Sequence, residues 1–158
     1  MLDLSLIFDG SVATTGTGVP TGQAITATAA STNVIDFLAN RDVGAGDDLE
    51  AHVLVTEAFA TLTSLQIAYQ TSADNATFVN VMLSPVIPVA SLVVGALLFR
   101  YKVPVFQLLD VLPPNRYHRL NYTVAGSNAT AGKVFSFLTG GGDRQNFVPY
   151  GPNYTVGA

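Results

Sequence analysis

The sequence predicts an all-β protein, and three observations carry that prediction. Apolar and polar residues alternate with a period of two over short stretches, as in residues 49–56, where Leu49, Ala51, Val53 and Val55 share one face. Turn-forming residues interrupt these stretches at about every eight to twelve positions, the spacing of a sandwich or barrel. No stretch keeps a helical period; Glu57-Ala58-Phe59-Ala60 comes nearest and is too short to matter.

Taken in order, residues 2–8 alternate weakly, as an arm or a strand. Residues 9–22 hold four Gly and one Pro and read as a loop. Short strands are expected at 23–28 and 34–38. The strand at 49–56 is followed by one at 61–71 with Leu65, Ile67 and Tyr69 inward, and Ser72-Ala73-Asp74-Asn75 is a turn. Strands at 78–83, 93–97, 98–103, 116–124 and 133–138 complete the set. In 116–124, His118, Leu120, Tyr122 and Val124 fall on one face. Gly126-Ser127-Asn128 then predicts a hairpin turn, because Gly and Asn tolerate positive φ and Ser can bond its own backbone. The most apolar window, residues 85–99, is broken by Pro85, Pro88 and Gly95 and falls short of the roughly twenty residues a membrane span needs. It reads as a buried strand pair joined by a loop. After Gly140-Gly141-Gly142, Phe147, Tyr150 and Tyr154 are spaced among Pro149, Pro152 and glycines. Proline does not suit a core strand, and the segment is too aromatic for a plain disordered tail. An extended arm lying on a neighbour is expected. The organisation is an N-terminal arm and loop over 1–22, a β-domain over 23–139 and a C-terminal arm over 140–158.

Composition narrows the function. A chain of 158 residues fits one domain with a core of its own. Hydrophobic residues make up 49% and charged residues only 11%, against about 25% charged in ordinary soluble domains. So few charges leave little to keep every face wet, and a surface partly covered by a partner is expected, the free protein not being monomeric. Net charge is −4 and the seven basic residues are scattered, which argues against nucleic-acid binding. There is no Cys, which excludes disulfides, thiolate zinc sites and Cys nucleophiles. Met1-Leu2-Asp3-Leu4 lacks a basic signal-peptide start, so the Asn-x-Thr triplets at Asn75, Asn121, Asn128 and Asn153 are read as coincidences.

Residues for chemistry do not assemble into a constellation. The two histidines, His52 and His118, stand apart, with no His-x-His pair. His118 is in phase with apolar neighbours and is expected in the core; His52, between Ala51 and Val53, is expected to point outward. Asp42, Asp47 and Asp48 with Gly44 and Gly46 hint at a calcium loop, but the spacing is not that of a calcium-binding helix–loop–helix, and a hairpin turn explains the same residues. No nucleophile elbow or phosphate loop is present. The expectation is no catalysis, no metal and no cofactor.

Three phrases in order carry a family resemblance. They are NVID (33–36) with RDVGAGDDL (41–49), SLQIAYQTS (64–72) followed by Phe78, and RYHRLNYTVAGSNATAGK (116–133). Together they resemble the jelly-roll capsid cement, or decoration, proteins of tailed, short-tailed bacteriophages. The resemblance implies a jelly-roll β-sandwich with extended terminal arms. It further implies a structural virion protein on the outer surface of the capsid, bound to the major capsid protein and to itself, with a dimer favoured over a trimer, and touching neither nucleic acid nor membrane. Leu2, Leu4 and Phe8 of the first arm and Phe147, Tyr150 and Tyr154 of the last are the expected capsid or oligomer contacts. The alternative is a carbohydrate-binding jelly roll of a phage or cell-surface appendage; the absence of Trp weighs against it.

Overall fold

A computed structural model describes residues 4–12, 20–40, 49–104 and 115–140. They form eleven strands and two short 3-10 turns, Leu4–Leu6 and Val89–Ser91. In chain order the strands are β1 (Ile7–Asp9), β2 (Ser11–Val12), β3 (Pro20–Thr21), β4 (Gln23–Ala24), β5 (Ala29–Ala30) and β6 (Ile35–Asp36). There follow β7 (Leu49–Ser72), β8 (Val79–Leu83), β9 (Ile87–Pro88), β10 (Leu97–Lys102) and β11 (Tyr117–Gly140). The architecture is one large antiparallel sheet of nine strands and a small sheet of β2 with β3. Two long strands dominate it: β7 and β11 pair from Tyr117 opposite Ser72 to Gly140 opposite Leu49. The others line the free edges of this ribbon, β1, β4, β5 and β6 along β11 and β8, β9 and β10 along β7.

The ribbon is folded back on itself. Tyr101 pairs beside Ala51, at one end of β7, yet its ring centroid lies 5.8 Å from that of Tyr69, near the other end. A straight strand would put residues 51 and 69 about 60 Å apart. On β11, Tyr122 Oη and Ser136 Oγ are 3.1 Å apart although 14 positions separate them. The bend falls at the irregular middle of the ladder. From Gly126 opposite Leu62 the next partners are Ala131 and Ala60, so β11 advances five residues while β7 advances two. Thr61 sits at φ 72°, rare for a β-branched residue, and its hydroxyl bonds Asn128 O at 2.7 Å while accepting from Thr130 N at 3.0 Å. One side chain thus ties down the extra residues.

This corrects the hairpin expected at Gly126-Ser127-Asn128. The two halves of residues 116–138 do not pair with each other. Each is taken by β7, and the turn-forming residues make a bulge in a continuing strand. The strands expected at 49–56 and 61–71 are likewise one strand, running through the residues 57–60 that came nearest a helical period.

The core lies inside the fold of the ribbon. Val53, Val55 and Leu138 from one half meet Leu65, Ile67, Tyr69, Leu120 and Tyr122 from the other, with Phe8, Ile25, Ile35, Phe59, Leu92 and Phe99 closing its sides. Leu65, Ile67 and Tyr69 are inward as their alternation implied. A second, smaller cluster of Ile7, Phe135 and Phe137 covers the opposite face of the 49–56 half. That is why His52 does not point outward. It is buried, stacked on Phe137 at 5.3 Å, with Nε2 3.2 Å from Glu50 Oε2, and Arg100 clasps the same carboxylate at 2.9 and 3.1 Å.

Gly132 lies beside a register shift of the ladder. Its φ is 135°, and a Cβ there would stand 2.3 Å from the Phe59 ring. Gly132→Ala is expected to cost about 2 kcal/mol or more, from backbone strain and overpacking together. Urea unfolding checks this; a loss within experimental error would mean that the bend tolerates a side chain.

Candidate functional site

Two buried polar groups, His118 and Asp9, are each engaged by several partners, whereas the buried Thr56 hydroxyl has none. His118, with no exposed surface, lies between Tyr69 Oη, 2.9 Å from Nδ1, and the Asn115 carbonyl, 3.0 Å from Nε2. A carbonyl only accepts, so Nε2 carries the proton and Nδ1 accepts from the tyrosine. Burial pushes the imidazole down to about 4, so at neutral pH it is uncharged. The Asp9 carboxylate accepts from Tyr122 Oη and Ser136 Oγ, each at 2.7 Å, and from Thr32 N at 2.8 Å. Burial and the Asp9 charge raise the Tyr122 phenol well above its ordinary range. Both groups are structural joints: His118 links the long strands, and Asp9 links β1 to both halves of β11. Among the described residues no cluster of three His, Asp or Glu side chains could hold a metal ion.

The expected contact residues scatter. Phe8 is fully buried, its ring edge-on to Tyr69 at 6.2 Å, so it fills this chain's own core and is not a free anchor. The sequence leaves residues 2–8 open between arm and strand and reads 9–22 as a loop; residues 7–9 are a strand paired to β11. Leu4 opens the first 3-10 turn. Leu2, Phe147, Tyr150 and Tyr154 lie outside the described residues, as do Asp42, Asp47 and Asp48 of the possible calcium loop.

The surface offers a different site. Residues 75–99 contain no charged side chain, and they run along the outer edge of β7. Val79 pairs there with Thr71, Pro88 with Ser64, Leu92 O accepts from Phe59 N, and Leu97 pairs with Leu54. The expectation of a buried strand pair in 85–99 is overturned: only Leu92 and Phe99 are buried, while Val86 is 61% exposed, Val93 53%, Val94 65% and Leu97 48%. The reason is position. An edge segment buries one row of side chains against the ribbon and leaves the other row outward. At Val93-Val94 the chain makes a tight turn, with Ala96 N bonded to Val93 O at 3.0 Å and Gly95 at φ 83°, a conformation that favours glycine. Two neighbouring valines are therefore held out into solvent on a fixed backbone. Such a turn ordinarily carries polar residues, and a contiguous apolar strip of this kind is the usual mark of a protein contact surface. The signal in the sequence was the pair of prolines, Pro85 and Pro88, which an edge accepts and a central strand excludes.

Comparison with known proteins gives one family. The profile of Bbp16, a family of Bordetella phage proteins, matches residues 19–138, well over half of the chain. No curated protein matches.

The neutral buried His118 makes stability depend on acid. Above pH 6.5 both folded and unfolded chains carry it uncharged. As pH falls from there towards 4, the unfolded chain takes up a proton that the native state refuses, so stability is lost by up to about 1.4 kcal/mol per pH unit. Between pH 7 and pH 4.5 the protein is expected to lose about 2–3 kcal/mol more than its His118→Gln variant, measured by urea unfolding at both pH values. Equal losses would assign the acid sensitivity to other groups.

Proposed function

Because the chain belongs to the Bbp16 phage protein family, we propose that it is a capsid cement protein: a structural component of the virion that binds the outside of the major capsid protein lattice and bridges neighbouring subunits. In this reading the folded ribbon is a jelly roll, the bend at Thr61 and Gly126 being the corner at which both long strands pass from one layer to the next. The protein does no chemistry. It works by contact area, and the observation that carries the reading is the rigid, exposed Val93-Val94 turn within a strip free of charge.

An apolar knob on a fixed turn loses little conformational entropy when covered, which favours it as an anchor in a modest interface. A homo-oligomer presents the knob more than once, and each contact raises the effective concentration of the next. The phrases that resemble cement proteins span residues 33–133, most of the stretch that the family profile matches. Leu2, Leu4, Phe147, Tyr150 and Tyr154 are proposed as further anchors at the two ends of the chain.

Val94→Asp tests the proposal. Its side chain is exposed, so folding stability is expected to change by no more than about 0.5 kcal/mol. Co-sedimentation with shells that lack the protein should fall at least about tenfold, and virions carrying the variant should release DNA at a lower temperature. Wild-type protein that does not sediment with shells, or stripped virions as heat-resistant as complete ones, would end the cement reading.

A further inference from the structure

Where β11, β7 and β8 lie side by side, the outer face of the sheet holds a row of polar side chains. Arg119 pairs with Gln70 and Gln70 with Asn80, and paired residues project to the same side. Their neighbours in sequence, Leu120 and Tyr69, fill the core, so this row faces outward. A chain of hydrogen bonds runs along it. Arg119 Nε donates to Gln70 Oε1 at 2.7 Å, and Gln70 Nε2 donates to Asn80 Oδ1 at 2.8 Å. The Arg119 guanidinium also lies over the Phe78 ring, 3.6 Å from its centroid.

The chain of bonds has a direction. Arginine only donates, so Gln70 accepts with its oxygen, and Asn80 accepts in turn. Each amide oxygen is thus engaged, and donors are left over at both ends: the Nη groups of Arg119 and Nδ2 of Asn80. Neither Nη group has a hydrogen-bond partner among the described residues, and neither is buried, since among those residues Thr56 Oγ1 is the one buried side-chain polar atom left unpartnered. Charge also sets Arg119 apart. Arg100 is held by Glu50 and Arg116 by Asp36, and each hydrogen-bonded carboxylate raises the pKa of its arginine. Arg119 has no carboxylate among the described residues, and burial lowers its pKa.

We propose that this row is a recognition site for a carboxylate, an Asp or Glu side chain on the surface of a partner protein. The fork left on Arg119 matches the two oxygens of a carboxylate. Asn80, two strands and so about 10 Å away, is left for a backbone carbonyl of the same partner. One charge flanked by neutral amides suits a single carboxylate and not a polyanion, which takes clustered Lys and Arg. The rings on this face, Phe78 and Tyr117, are each covered by a guanidinium instead of being left to stack on a sugar. The ring and the Gln70 bond fix the guanidinium before any partner arrives, so little side-chain freedom is lost on contact. The proposal rests on the cement reading only for the identity of the partner, which is then the shell; the carboxylate site is read from this row alone.

Two measurements test it. In the first, N-acetylglutamate is added to the free protein while the arginine side-chain N–H signals are followed by NMR. Those of Arg119 should shift saturably, those of Arg100 and Arg116 should stay, and N-acetylglutamine should move none. No shift at Arg119, equal shifts at all three arginines, or glucuronate bound at least about tenfold more tightly than N-acetylglutamate would each overturn the proposal. In the second, Arg119→Met keeps a long side chain against Phe78 and removes the fork. With folding checked by urea unfolding, its co-sedimentation with shells should fall at least about tenfold. Arg119→Lys, which keeps the charge without the fork, should stay nearer the methionine variant than the wild type. Shell binding by Arg119→Met as tight as that of the wild type would overturn the proposal. Wild-type protein that ignores shells while Arg119 still takes N-acetylglutamate leaves this site standing and ends the cement reading.

Discussion

Every other element depends on the pairing of β7 with β11. Neither long strand is apolar on both faces throughout, and among the described residues no helix covers either. Together they make a ribbon that solves the problem by bending, so that its inner face meets itself. The short strands β1, β4, β5 and β6 exist only because β11 leaves an edge, and β8 to β10 only because β7 leaves the other. None is long enough to hold a sheet alone. The bend is therefore the constraint that decides the fold, and its cost is local: a threonine at positive φ, a glycine against a phenylalanine ring, and a bulge held by one hydroxyl.

The all-β class and the inward rows were legible in the sequence, because a period of two survives in any half-buried strand. Leu65, Ile67 and Tyr69, and His118, Leu120 and Tyr122, are inward for that reason. The bulge was not legible. Gly126-Ser127-Asn128 is equally good chemistry for a reversal and for a bulge, and only the competing partner, β7, decides between them. His52 failed for a related reason. Alternation tells which face a residue is on, not whether that face is wet, and here Ile7 and Phe137, remote in sequence, cover it.

The exposed apolar edge reverses the usual logic. Apolar content alone assigned 85–99 to the interior. The structure places most of it outside, because it is an edge. What separates the two cases in the sequence is the prolines at 85 and 88, which a central strand excludes and an edge accepts. Exposed edge and core are written in the same residues, and the breaks in the ladder tell them apart.

The topology also fixes an order of events during synthesis. Ile7 finds its partner at Phe137, and Ile35 at His118, so the residues made first must wait for those made nearly last. The part that can form early is local: β8 folds against the end of β7 across a turn in which the Asp74 carboxylate accepts from Ala76 N and Thr77 N at 2.9 and 2.8 Å. Pairings this remote in sequence close slowly, since loop entropy is lost before contacts reward it. A hairpin of β7 with β8 alone is marginal, so the edge takes its final shape only once β11 is there to pair with β7. β1 and β6 can pair only once β11 is available to receive them.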